Sequence, residues 1–150
     1  MRLHYGMTVN RDGHLTLGGC DAVLLAKQYG TPLYVLDESA VRKNCRDAVN
    51  AMTKYFPDGR VMYASKALNT KAVLLIAQSE GLGIDTVSGG ELYTALSAGI
   101  DPRKIELHGN SKTEEEIRMA VKNGIYCIIA DGFDELELIE KVCKEENKKI

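Results

Sequence analysis

"RVMYASKALNTKAVLLIAQSEGLGIDTVSGGELYTALSAG", residues 60–99, decides the fold, because a short apolar run gives way twice within it to a segment of helical periodicity. "RVMYA" (residues 60–64) reads as a strand, and Val73, Leu74 and Ala77 recur at helical spacing in a segment that Asn69 or Thr70 can cap and Gly81 can end. "GIDTV" reads as the next strand. Ser88, three residues before Glu91, then gives the capping-box signature at the head of the helix "ELYTALSAG".

The alternation continues in both directions. Upstream, "PLYVLD" (residues 32–37) reads as a strand before the helical "ESAVRKNCRDAVNAMTKYF". Downstream, "KIELHG" is a strand, and Thr113 and Glu116 form a second box before "EEIRMAVKNG". "YCIIAD" then leads into "FDELELIEKVCKEEN", and "KKI" reads as the approach to a sixth strand. Five successive βα units predict an α/β protein with a parallel sheet and helices outside it. An open doubly wound sheet could close with five strands, whereas a (β/α)8 barrel needs eight and about 250 residues. The regularity of the units, the absence of G-x-G-x-x-G and the new apolar start at the end favour a (β/α)8 TIM-type barrel, truncated here after about five units and occupying residues 31–150. Residues 1–30 stand outside this rhythm. "HYGMTVNRDGHLTLGG" alternates like a strand and hairpin and "CDAVLLAKQYG" resembles a short helix, so the segment either belongs to a β-rich second domain or caps the barrel.

The net charge of −2 is built from interspersed signs, without the basic stripe of a nucleic-acid binder or a polybasic membrane patch. "AVLLIA" and "YCIIA" fall far short of the roughly 20 residues that span a bilayer. The N-terminus lacks an apolar signal core, so a cytoplasmic location is expected. Cys20, Cys45, Cys127 and Cys143 are scattered, and His4, His14 and His108 show no metal-ligand spacing, so no metal is expected.

Active sites of β/α barrels gather at the C-terminal ends of the strands. Lys66 follows the second predicted strand, Asp85 and Ser88 the third, His108 and Asn110 the fourth, and Asp131 the fifth. If the second strand runs far enough, Met62, Ala64 and Lys66 share one side, and Lys66 points into the barrel mouth above the small Ala64. A lysine in a partly desolvated pocket is a usable amine nucleophile, as Schiff-base chemistry requires. Of the twelve lysines, only Lys66 follows a strand in this way; the others fit helix faces or loops. Plainer readings stand beside these: a loop lysine for Lys66, turn and capping chemistry for Asp85, Ser88 and Glu91, and a hydrogen-bonded structural role for His108.

"YASKALN" (residues 63–69) resembles the Y-A-x-K-A-N lysine motif of the alanine-racemase-like, fold type III pyridoxal-phosphate decarboxylases, with Leu68 inserted before Asn69. "GTPLYVLDE", "GIDTVSGGEL" and "HGNSKT" are similar, in order and spacing, to the diaminopimelate decarboxylases of that family. The resemblance covers nearly all of the chain, as the N-terminal part of such an enzyme. It implies a lyase of lysine biosynthesis that uses pyridoxal 5'-phosphate to convert meso-2,6-diaminopimelate to L-lysine and CO2. Lys66 would carry the cofactor as a Schiff base, Ala64 would leave room beside its ring, Asp85 would lie near the linkage, and Glu91 and His108 would belong to the surrounding polar shell. The family fold is a barrel followed by a β-domain that takes in the N-terminal strands, as a homodimer with shared sites. By the same resemblance the pyridine-nitrogen partner, the phosphate loop and most substrate-binding groups would lie beyond Ile150, leaving these 150 residues inactive alone. The alternatives are a decarboxylase of the same fold acting on ornithine, arginine or carboxynorspermidine, a pyridoxal-phosphate barrel without catalysis, and a cofactor-free Schiff-base aldolase.

Overall fold

The computed structural model describes residues 3–150; Met1 and Arg2, the head of the expected N-terminal segment, lie outside the described residues. The chain forms two compact units, one ending at Asp47 and one spanning Ala48–Ile150.

In the first unit, β1 (Met7–Val9), β2 (Leu15–Leu17) and β3 (Cys20–Asp21) make an antiparallel meander, followed by α1 (Ala22–Tyr29). Asn10 shapes the first hairpin, its Oδ1 accepting from the amides of Asp12 and His14. Asp21 joins hairpin to helix. One of its oxygens caps α1 by accepting from Val23 and Leu24, and the other accepts from Asn10 Nδ2 at 2.7 Å and lies 2.8 Å from His14 Nδ1. The His14 bond, more than any other contact, holds the Asp21 carboxyl at about 2, below the ordinary 3.8. A depressed carboxyl stabilises the fold fully above its unfolded value and ceases to do so as the pH falls through the folded one. Amide protection of Val23 and Leu24 is therefore expected to decline between pH 3.8 and about 2, and Asp21→Asn to flatten that dependence in hydrogen exchange.

α2 (Glu38–Tyr55) begins in the first unit, where Asp37 Oδ1 accepts from Ser39 and Ala40, and runs into the second. The second unit is built on β4 (Met62–Ala64), β5 (Gly83–Thr86), β6 (Ile105–Leu107) and β7 (Cys127–Ile128), parallel and in that order. They alternate with α3 (Lys71–Ser79), α4 (Gly89–Ser97), α5 (Glu114–Asn123) and α6 (Phe133–Glu146). Thr70 and Ser88 cap α3 and α4, and the box of Thr113 and Glu116 closes fully on α5.

Period-two alternation divides the sheet into two faces. Ile84 and Ile105 are register partners, as are Thr86 and Leu107, and all four side chains are fully buried. Leu74, Leu92, Ile117, Val121 and Val142 contribute the helix side of the core. Each such aliphatic group stabilises the fold by about 1.5–3 kcal/mol through burial.

The parallel sheet has four strands where five were expected. Residues 32–37 make no ladder and leave Leu33, Tyr34, Val35 and Leu36 exposed, and residues 148–150 form no strand. An apolar run supplies a surface that can be buried, but a strand exists only where its amides and carbonyls find a ladder partner. No helix among the described residues is long and apolar enough to cross a membrane.

Candidate functional site

Ala64, Asp85, Glu106 and Cys127 are register partners across β4 to β7 and share the sheet face opposite Ile84 and Ile105. All four are half-buried. Burial, then the charge of Asp85, push the Glu106 carboxyl above its usual range, and His108 pulls the other way. The Cys127 thiol is raised by burial and then by Glu106.

β4 ends at Ala64, and Lys66 lies on the 3-10 turn Ser65–Ala67, so strand alternation does not reach it. Two hydrogen bonds hold the chain in this turn. The fully buried Ser65 donates from Oγ to Glu91 Oε2 at 2.5 Å, and Tyr63 Oη donates to the carbonyl of Leu68 at 3.2 Å. Lys66 is exposed, outside the partly desolvated pocket expected of it, and its ammonium has no hydrogen-bond or ion-pair partner among the described residues.

The Asp85 side chain is 17% exposed, yet its Oδ1 is buried without a hydrogen-bond partner. His108 Nδ1 stands 3.8 Å away, beyond hydrogen-bond reach, on a half-exposed ring. The backbone amide of His108 is tied to the Thr86 carbonyl at 2.8 Å. The structure thus brings His108 to Asp85 and sets Ala64 beside Asp85 on the next strand. Lys66 makes no hydrogen bond or ion pair with Asp85, Glu91 or His108. Asn110 and Asp131 are exposed, and Ser88 serves as the α4 cap.

Glu91 only half closes its predicted capping box. Its amide donates to Ser88 Oγ at 3.3 Å, but its carboxylate accepts from Val87 N at 3.0 Å and from Ser65, whose buried hydroxyl needs a partner. Glu91, Glu116 and Glu135 are each the third residue of their helix, and each carboxylate reaches back to the preceding βα unit. Glu116 accepts from the amide of Gly89 at 2.6 Å, and Glu135 pairs with Lys112 at 3.0 Å while accepting from the Asp131 amide at 2.7 Å.

Lys112, which fell among the lysines read as helix faces or loops, is the buried lysine among the described residues, at 7% exposure. "HGNSKT" placed it only between a strand end and a helix cap, and no local spacing points to a partner on α6, one βα unit later.

Residues 42–150 match the family described as pyridoxal-dependent decarboxylase, pyridoxal binding domain. The diaminopimelate decarboxylase of Bacillus methanolicus is 47% identical over 149 residues, covering 99% of this chain and 34% of that protein. The enzyme of the same name from Bacillus subtilis strain 168 is 45% identical over 150 residues, covering 100% of this chain and 34% of that protein. A crystal structure of diaminopimelate decarboxylase from M. jannaschii in complex with L-lysine superposes with a TM-score of 0.85 at 34% identity, covering 95% of this chain and 34% of that one. The chain therefore spans about a third of the length of the relatives it matches and is similar to the N-terminal, parallel-sheet part of their fold.

Proposed function

The chain belongs to the pyridoxal-dependent decarboxylases, and from that premise we propose that it forms the cofactor-anchoring part of an enzyme converting meso-2,6-diaminopimelate to L-lysine and CO2. The observation that carries the reading is the uncommitted amine of Lys66, on the turn directly after β4, with the orphaned acceptor Asp85 Oδ1 on the neighbouring strand. A free primary amine and an unpaired carboxylate oxygen fit pyridoxal phosphate, whose aldehyde takes an amine and whose polar groups can satisfy the acceptor.

Lys66 would hold the cofactor covalently through Nζ, and Ala64, lacking a bulky side chain, would leave space for it. Bound there, pyridoxal phosphate supplies the electron sink that makes loss of an α-carboxylate as CO2 feasible. With the cofactor in place, Lys66 Nζ would be the group on this chain able to hold or move a proton at the reacting carbon. Asp85, on the strand paired with the one that leads into the Lys66 turn, would supply negative charge to the site, and His108 stands next to Asp85 as a polar neighbour. Glu91 acts through Ser65, fixing the turn from which Lys66 projects.

The same reading has residues 31–150 as the first part of a closed (β/α)8 barrel, residues 1–30 packing with a β-rich second domain, and a cytoplasmic homodimer with shared sites. The regular βα units and the resemblance to diaminopimelate decarboxylases support it.

Borohydride reduction of the whole protein with pyridoxal phosphate is expected to leave a phosphopyridoxyl group on the Lys66 peptide alone, read by mass spectrometry. Equal labelling of several lysines, or an unmodified Lys66, would remove the basis of the proposal. Preference for ornithine, arginine or carboxynorspermidine over meso-diaminopimelate would redirect the substrate assignment.

A further inference from the structure

The Lys112 ammonium is almost completely enclosed, its side chain 2% exposed and that of Glu135 9% exposed. Its three donors meet three oxygens, the Gly109 carbonyl, the Ile129 carbonyl at 2.8 Å and Glu135 Oε2 at 3.0 Å. The first lies in the turn after β6, the second just past β7, and the third on the first turn of α6. A charge this enclosed is tolerated only when paired and hydrogen-bonded, and such pairs often add little net stability over apolar replacements. Net stability is therefore a weak reason for keeping such a pair.

The turn that Lys112 secures is the one that starts with His108. Its backbone is unusual: Gly109 has φ +105 and Ser111 φ 55, both in the left-handed region. A Cβ at Gly109 would lie 3.2 Å from the Val87 carbonyl, so the turn passes tightly against the loop after β5. With the His108 amide held by Thr86 at one end and the Gly109 carbonyl held by Lys112, the backbone position from which the His108 ring projects toward Asp85 is fixed on both sides.

We propose that Lys112, neutralised by Glu135, is a positioning residue for the site: it fixes the 108–112 turn so that His108 is held beside Asp85. The inference rests on the reading of this rim as a cofactor site. It assigns no proton transfer to Lys112, which acts through the turn.

The test uses the whole protein and the variants Lys112→Met, Lys112→Arg and the double variant Lys112→Met with Glu135→Gln, whose new carboxamide oxygen can still accept from the Asp131 amide. Three quantities are read: the thermal midpoint, pyridoxal-phosphate affinity by fluorescence titration, and the pH titration of the His108 ring by NMR. Lys112→Met leaves Glu135 buried and unpaired and is expected to lower the midpoint. The double variant, free of both charges, is expected to recover the midpoint while cofactor affinity stays at least about tenfold weaker, on the order of one misplaced polar contact. Its His108 titration is expected to move away from that of the unaltered protein. Lys112→Arg, keeping charge and donors, is expected to lie closer to the unaltered protein in the last two readouts. Recovery of affinity and His108 titration together with the midpoint would show that the pair serves stability alone, and would overturn the proposal. If the double variant does not fold, weakened affinity and a moved titration in a folded Lys112→Met, both absent in Lys112→Arg, support positioning, and Lys112→Met that folds with both unchanged overturns it. Should the unaltered protein bind no pyridoxal phosphate, the function reading fails, and the His108 titration still decides whether Lys112 positions the turn.

Discussion

Lys66→Ala in the whole protein is expected to lower decarboxylation by at least about 10³-fold, within the range for loss of a positioned group that transfers protons, and to abolish covalent capture of the cofactor. Lys66→Arg is expected to fail equally. The guanidinium keeps the positive charge but stays protonated, so it cannot add to an aldehyde, and comparing the two variants separates a nucleophile from an electrostatic contact. Neither change should disturb folding, since Lys66 is exposed and bonded to nothing that defines the turn; the hydroxyl of Ser65 and the phenol of Tyr63 hold it. Rates of CO2 release with unchanged far-UV circular dichroism would check both points. Turnover by Lys66→Arg close to that of the unaltered protein would mean that the anchoring amine lies elsewhere.

Ile105→Ala is expected to cost about 2–5 kcal/mol, read as a lower urea midpoint with little change in slope, and Ile105→Val about 0.5–1.5 kcal/mol. Ile105 is fully buried on β6, in register with Ile84. α4 packs over β5 and β6 on this unit, leaving a truncated side chain little room to be replaced by solvent. The adjacent residue, Glu106, faces the other way and should respond with the opposite sign. Its raised carboxyl means that the folded state disfavours its charge, a cost absent below the unfolded value and felt as the pH rises through the folded one. The contrast between neighbours one residue apart tests the assignment of the two faces. A loss at Ile105→Ala smaller than that at Ile105→Val would undo it.

The alternation of strands and helices was legible because each cue acts locally. Thr70, Ser88 and Thr113 cap the helices that their hydroxyls announced, and Ile84 and Ile105 lie buried where period two puts them. Residues 32–37 misled because "PLYVLD" describes what a strand would bury and says nothing of whether a neighbouring ladder receives it. The place of Lys66 after a strand was also readable, but its direction was not, since the turn is decided by Ser65 meeting a glutamate 26 positions later. Glu91 followed its box only in part for the same reason: the nearby amide of Ser88 competed with a buried hydroxyl and lost. Lys112 is the extreme case. Its identity, loop and local spacing are those of a solvent-exposed lysine, and only the return of the chain through β7 and α6 encloses it.

The three helix-head glutamates all reach toward earlier residues, and this gives the molecule a direction in time. Ser65 waits for Glu91 over 26 residues and Gly89 for Glu116 over 27. A ribosome adding about 5–20 residues per second makes each wait roughly 1–5 s. During that interval the lysine-bearing turn exists without its brace, and the histidine turn waits similarly for Glu135. Each stretch of rim is finished by the unit translated after it, so the emerging chain sets its rim loops one unit behind its own growing end.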